Sequence, residues 1–170
     1  MVQPLKDQLT KIPNRTDHTC FGCGPGNQHG LQMEFYTDGK MVYSWVDIEH
    51  HFHGWVNLTH GGILCTIFDE IMSWTTIYLM RKFILTKNIS VDFIRPVYVQ
   101  NSIRVEGEIV EHKNEREAIV EGRLFNADNQ LCARSRGTFA LVTLEKLKSL
   151  GNFPREEIEV LQDMMAMNGM

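Results

Sequence analysis

Positive charge is not in surplus in this chain: 17 lysines and arginines stand against 21 aspartates and glutamates, a net charge of −4. No dense basic stripe overrides that balance, which argues against a nucleic-acid partner. Long uninterrupted apolar runs are missing too. The opening MVQPLKDQLT lacks the apolar core of a signal peptide. The single stretch apolar enough to cross a membrane is broken at its centre by Asp69-Glu70. Cysteine is sparse, at four residues, and without a secretion signal these are expected to be free thiols. A soluble cytoplasmic protein with no membrane partner is the expectation that follows. There is also no G-x-S-x-G elbow, and no cysteine sits in a recognisable nucleophile signature, so the usual acyl-enzyme machinery is excluded.

What is present is enough for one well-filled core: 170 residues, 43% of them hydrophobic. The organising stretch is Asn57 to Met80, NLTHGGILCTIFDEIMSWTTIYLM. Its apolar residues cover nearly every angle of a helical wheel, which predicts a helix buried on all sides. Around it the alternation predicts strands at 31–36, 41–48, 86–94, 102–112, 117–126 and 131–143, with Asp38-Gly39 as a hairpin turn. A further helix is expected from Pro154 to about Met167. The order β-β-α-β-β-β-β predicts an α+β fold: one antiparallel curled sheet of about six strands wrapped around a long central helix. Residues 1–30 read as a lead-in with a glycine-rich turn, 31–143 as the body, and 144–170 as a helical extension of the same domain.

The candidate chemistry lies in the central helix. His60-Gly61-Gly62 opens it, where unpaired N–H groups and the positive end of the helix dipole suit a developing oxyanion. The same glycines could equally serve close packing, with His60 as a polar cap. Asp69 and Glu70 point about 100° apart, so only one can face a given cavity. A carboxylate in apolar surroundings loses hydration and becomes a better base. His60 and Asp69 are separated by roughly 13 Å along a helix at ~1.5 Å per residue, so Gly61 and Asp69 of one chain cannot act on one carbonyl. If the chain is an enzyme, an antiparallel homodimer with two shared sites is expected. Cys20-x-x-Cys23, with His18 and His29 nearby, supplies half a zinc site, whereas a structural zinc takes four ligands. Small residues in a tight turn are the favoured reading, the histidines at 50, 51 and 53 are read as loop and site wall, and neither metal nor cofactor is expected.

Three motifs together carry a resemblance: H-G-G-x6-D-E at the helix start, T-x-N-x-S-x-D-F-x-R-P-V from Thr86 to Val97, and C-F-G-C-G-x-x-N-x-x-G-L from Cys20 to Leu31. Over about residues 20–142 the sequence resembles the hotdog-fold acyl-CoA thioesterases of the phenylacetyl-CoA (PaaI-like) type. The resemblance implies that Asp69 is general base or nucleophile and that the Gly61 N–H, helped by Gly62, polarises the thioester. It implies that His60 orients the thioester and that Thr86 positions the attacking water. Asn57, Gly62, Glu70, Asn88, Arg95, Arg134 and Arg136 are the substrate-binding candidates, the arginines toward coenzyme A phosphates. The implied partner is an acyl-CoA substrate, in a homodimer or a dimer of dimers. One departure stands out: many relatives carry asparagine six residues before the histidine, where this chain has Gly54, while Asn57 lies three before it. Met72 and Trp74 are expected to shorten the acyl pocket, favouring small, medium or aromatic acyl groups. A non-catalytic acyl-CoA-binding module is the alternative, and a hotdog dehydratase ranks last.

Overall fold

A computed structural model of the chain describes residues 6–149, 151, 158–159, 162–163 and 166. Its centre is helix α1, Gly61–Met80, against which a seven-stranded sheet is curled. The strands are β1 (Thr10–Lys11), β2 (Tyr36–Thr37), β3 (Val42–Asp47), β4 (Phe83–Phe93), β5 (Ser102–Asn114), β6 (Glu117–Phe125) and β7 (Leu131–Val142), in the order β1-β2-β3-β5-β6-β7-β4. Every pairing is antiparallel. This is the hotdog architecture, with one strand beyond the six expected, because β1 forms in the segment read as a lead-in. A short helix α2, Leu144–Ser149, follows β7. The helix expected from Pro154 lies largely outside the described residues.

The strand predicted from Leu31 pairs only at Tyr36 and Thr37. Leu31, Met33 and Phe35 are buried as the alternation requires, but Gln32 takes a left-handed φ of 46° that breaks the extended run. The Leu31 and Met33 N–H groups turn instead to the glycine-rich loop, Leu31 to Phe21 O at 2.8 Å and Met33 to Gly22 O at 3.0 Å. That loop is thereby stitched to the body of the sheet.

Burial of α1 is one-sided, contrary to the expectation of burial all round. Leu64, Ile67, Phe68, Ile71, Met72, Trp74, Thr75 and Thr76 are buried, while Ile63, Cys65, Ser73 and Ile77 are only partly covered and Gly61 and Gly62 are exposed. A curled sheet encloses one flank of a helix and leaves the other to whatever packs against it. By length and composition α1 could cross a membrane; its apolar face is instead the core of this sheet, with Trp74 stacked on Phe35 at 4.8 Å between ring centres. The fit is close. Gly107 and Gly122 face each other across β5 and β6 directly beneath the helix. A Cβ at Gly107 would fall 2.1 Å from Thr75 Oγ1, and one at Gly122 would fall 2.7 Å from Phe68 Cδ1.

Strand β4 is the sheet edge on the far side. It pairs with β7 alone and carries exposed Leu85 and Phe93, with exposed Ile94 just past its end. The ladder shifts between Thr86 and Asn88, a bulge at Lys87, where Asn88 Oδ1 accepts the Thr138 N–H at 3.3 Å.

Candidate active site

The bulge decides where Thr86 points. Its hydroxyl reaches across from β4 to α1 and donates to Asp69 Oδ1 at 2.8 Å. Two residues chosen separately from the sequence, 17 positions apart, are thus in direct contact. The bond fixes the carboxylate's rotation and leaves Oδ2 to meet a water or a substrate.

At the other end of the same flank is the helix start. His60 is the N-cap: its backbone is extended and its Nδ1 accepts the Gly62 N–H at 2.9 Å. An accepting Nδ1 leaves the ring proton on Nε2. The Ile63 and Leu64 N–H groups go to His60 O, at 2.9 and 3.3 Å. Gly61 alone in this first turn keeps an N–H with no partner among the described residues, and Gly61 is exposed. The structure therefore separates what the sequence grouped. Gly61 offers a donor, the Gly62 donor is already used, and His60 occupies the capping role. Phe93 is the neighbour that sequence reasoning missed: its Cζ lies 3.6 Å from where a Gly61 Cβ would be, although its place in D-F-x-R-P was the signal. Gly54 accounts for the departure from the family pattern, because a Cβ there would sit 3.0 Å from His60 Cα, so a side chain at 54 would displace the cap.

Gly61 and Asp69 are eight residues apart on a regular helix, about 12 Å of rise. One chain thus presents a donor and a base on the same flank, too far apart to share a carbonyl. β4 runs along that flank, Phe93 beside the donor and Thr86 beside the base.

The other candidates disperse. Arg134 pairs with Asp92 at 2.8 Å and Arg136 pairs with Glu121. Both arginines are exposed and alternate with buried Ala133 and Ser135, which places them on the outer face of the sheet, away from α1. Arg95 donates to Leu131 O at 2.6 Å and borders a cavity of about 420 Å³ with Tyr98, Asn101 and Asn126. Asn57 is exposed, its carbonyl taking the Val99 N–H at 2.9 Å, and Asn88 is occupied at the bulge. A cavity of about 1360 Å³ lies at the C-terminal end of α1 and touches neither Asp69 nor Gly61.

Glu70 turns away from Asp69 toward the N-terminal loop. Its Oε1 accepts a hydrogen bond from the Cys20 thiol at 3.3 Å. Burial pushes the Glu70 carboxyl up to about 8. A hydrogen bond from Cys23 draws the Cys20 thiol down to about 4, and the same bond, with burial, pushes Cys23 up. The groups bearing most on Glu70 are Cys23, Cys20 and Asp69, and none is a cation. A Cβ at Gly22 would lie 2.3 Å from Glu70 Cγ, so glycine there lets the loop close over this carboxyl where it lies.

The model of the thioesterase superfamily matches residues 57–133. No curated protein matches the chain. Among solved structures, a protein of the thioesterase superfamily is similar at 21% identity and a TM-score of 0.66. That match covers 72% of this chain and 60% of that one, so this chain spans less than two thirds of that relative's length. The PaaI protein of the E. coli phenylacetic acid degradation operon is similar at 14% identity and a TM-score of 0.60, over 66% of this chain and 80% of that one. A hypothetical thioesterase protein of Streptococcus pneumoniae, solved with coenzyme A, is similar at 16% identity and a TM-score of 0.58, over 61% and 82%. At such identities the likeness carries the fold.

Proposed function

We propose that this chain, whose residues 57–133 match the thioesterase-superfamily model, hydrolyses an acyl-CoA thioester to the free acid and coenzyme A. The observation that carries the reading is the Asp69–Thr86 contact: a carboxylate held at one oxygen and open at the other, on the flank that also bears a free N–H. In the reaction Asp69 takes a proton from water as the water oxygen bonds to the thioester carbon. The carbonyl oxygen becomes an oxyanion held by the N–H of Gly61, whose position at the helix N-terminus favours negative charge. Collapse breaks the C–S bond, and the proton held by Asp69 returns to the departing sulfur. Direct attack by Asp69 would form a mixed anhydride, whose hydrolysis at the Asp69 carbonyl carbon in a single turnover in ¹⁸O water leaves label in the protein carboxyl.

Base and donor come from different chains in this proposal. Its support is the ~12 Å between them and the open edge of β4. An exposed edge strand of 11 residues with apolar side chains is a surface that proteins cover. A second copy meeting it would bring each Asp69 toward the other's Gly61 in a two-fold homodimer. The acyl group is proposed to be small to medium or aromatic. Met72 and Trp74 do not border Asp69 as free pocket walls; they are buried with Phe68 in the core, and this filled space beneath α1 supports a short pocket.

The test is a panel of acyl-CoA substrates followed by free-thiol detection, with wild type and Asp69→Asn side by side. Turnover by wild type with loss in the variant, ligand binding retained, is the expected result. Binding without turnover in wild type would move the chain to the acyl-CoA-binding class.

A further inference from the structure

One cluster of ligand-type side chains is left over by the thioesterase reading. The ligand atoms of Cys20, Cys23 and Glu70 all lie within 4.8 Å of one another, although Glu70 is 50 residues from Cys20 in sequence. His18 lies just outside that group, its Nδ1 4.0 Å from Cys23 Sγ. We propose that Cys20, Cys23, Glu70 and His18 bind a zinc ion that ties the N-terminal loop to α1.

The spacing fits. With Zn–S of about 2.3 Å and Zn–N or Zn–O of about 2.0–2.2 Å, the corners of a zinc tetrahedron stand roughly 3.5–3.8 Å apart. The Cys20–Glu70 separation of 3.3 Å and the Cys23–His18 separation of 4.0 Å bracket that value. The donor set is two thiolates, one imidazole and one carboxylate, the ligands zinc takes. The loop is shaped to present them. The Gly24 N–H closes on Cys20 O at 3.0 Å, and the absence of a side chain at Gly22 admits Glu70. Charge points the same way. A partly buried carboxyl beside two cysteines, with no lysine or arginine among the groups acting most on it, is one that a bound cation would stabilise.

With His18 drawn in as the fourth protein ligand the tetrahedron is full, so the ion has no open position for water and its role is structural. Its effect on the active site is through geometry. Glu70 is the neighbour of Asp69 in α1, and a metal bond to one fixes the rotation of the helix that aims the other at Thr86. Glu70 is then a positioning residue. The site stands whether or not the chain proves to be a thioesterase.

The test starts from untagged full-length protein, expressed with added zinc and purified without chelator, with metal measured by elemental analysis. About one zinc per chain is expected. Replacing the zinc with Co²⁺ should give the intense visible bands of a tetrahedral site and a thiolate-to-cobalt charge-transfer band. Cys20→Ser/Cys23→Ser should carry no metal, and Glu70→Gln and His18→Ala should weaken zinc at least tenfold in competition with a chromophoric chelator. Asp69→Asn should keep its zinc, which separates this site from the thioesterase reading. The proposal is overturned if wild type neither carries zinc nor takes it up on reconstitution, or if the double serine variant retains it. A Cys20–Cys23 disulfide in protein purified under reducing conditions, seen as a mass two hydrogens lower, would overturn it too. The wild-type metal content and the cobalt spectrum decide the matter even if the variants do not fold.

Discussion

Replacing Thr86 by valine keeps the shape of the side chain and the β-branch that suits a strand, and removes one atom's chemistry: the hydroxyl that donates to Asp69 Oδ1 at 2.8 Å. A hydrogen bond to a charged group contributes about 1.5–3 kcal/mol. If the carboxylate needs this bond to hold the orientation in which it takes a proton, most of that energy is lost from the transition state. At 1.36 kcal/mol per tenfold, kcat should fall roughly 10- to 150-fold. KM should change little, because the contact lies between two protein groups. Thr86 is exposed, so the melting temperature should barely move. Thr86→Ser restores the hydroxyl and should recover most of the rate. The assay is continuous free-thiol release from the best acyl-CoA of the panel, with kcat and KM resolved separately. A valine variant with wild-type kcat, or a serine variant as slow as valine, would refute the reasoning.

Gly61→Pro removes the free N–H while proline is well tolerated at the first helical position, and His60 already has the extended backbone that precedes proline. It should fold normally and lose about 10²–10³ in kcat, while Gly61→Ala, which keeps the N–H, should stay active; equal rates in the two would discard the oxyanion role. Mixing Asp69→Asn with Gly61→Pro chains after subunit exchange should restore about a quarter of wild-type activity, since half the dimers are mixed and each mixed dimer has one intact shared site. No recovery on mixing would mean that the two groups act within one chain. Phe93→Asp should shift the protein to a monomer in analytical ultracentrifugation and abolish turnover, and an active monomer would defeat the dimer. Gly107→Ala should cost about 1–3 kcal/mol in urea unfolding through its clash with Thr75, and Thr75→Ala in the same chain should recover part of it; a change below about 0.5 kcal/mol would refute the close seating of α1.

The large elements could be read from the sequence because each announces itself locally. The apolar run gave α1 from Gly61 onward, and period-two alternation gave β4 to β7 with ends within three residues of those found. Asp69 and Thr86 were readable through the family motifs, and the structure added that they touch. What failed depended on distant partners. Leu31–Phe35 has the pattern of a strand, but the Leu31 and Met33 N–H groups go to Phe21 and Gly22, a choice that no local signal encodes. Glu70 could be read only as a substrate-binding candidate, because the loop that contacts it lies 50 residues upstream. The all-round apolar wheel of α1 was read as all-round burial, when a sheet curled around one flank leaves the other for something else to cover.

The regular path of α1 from its cap to Asp69 has an evolutionary consequence. Between Gly61 and Glu70 the helix is a ruler, with a free N–H at one end, the Asp69 carboxylate eight residues on, and Glu70 immediately beyond it, facing the cysteines. Side chains along it can drift, but the count cannot. One residue inserted or deleted there turns everything downstream by about 100°, swinging Asp69 off Thr86 and Glu70 off Cys20 together. Length variation among descendants of this chain should therefore gather in turns such as Asn126–Gln130 and be missing between Gly61 and Glu70, even where few of the intervening side chains are kept.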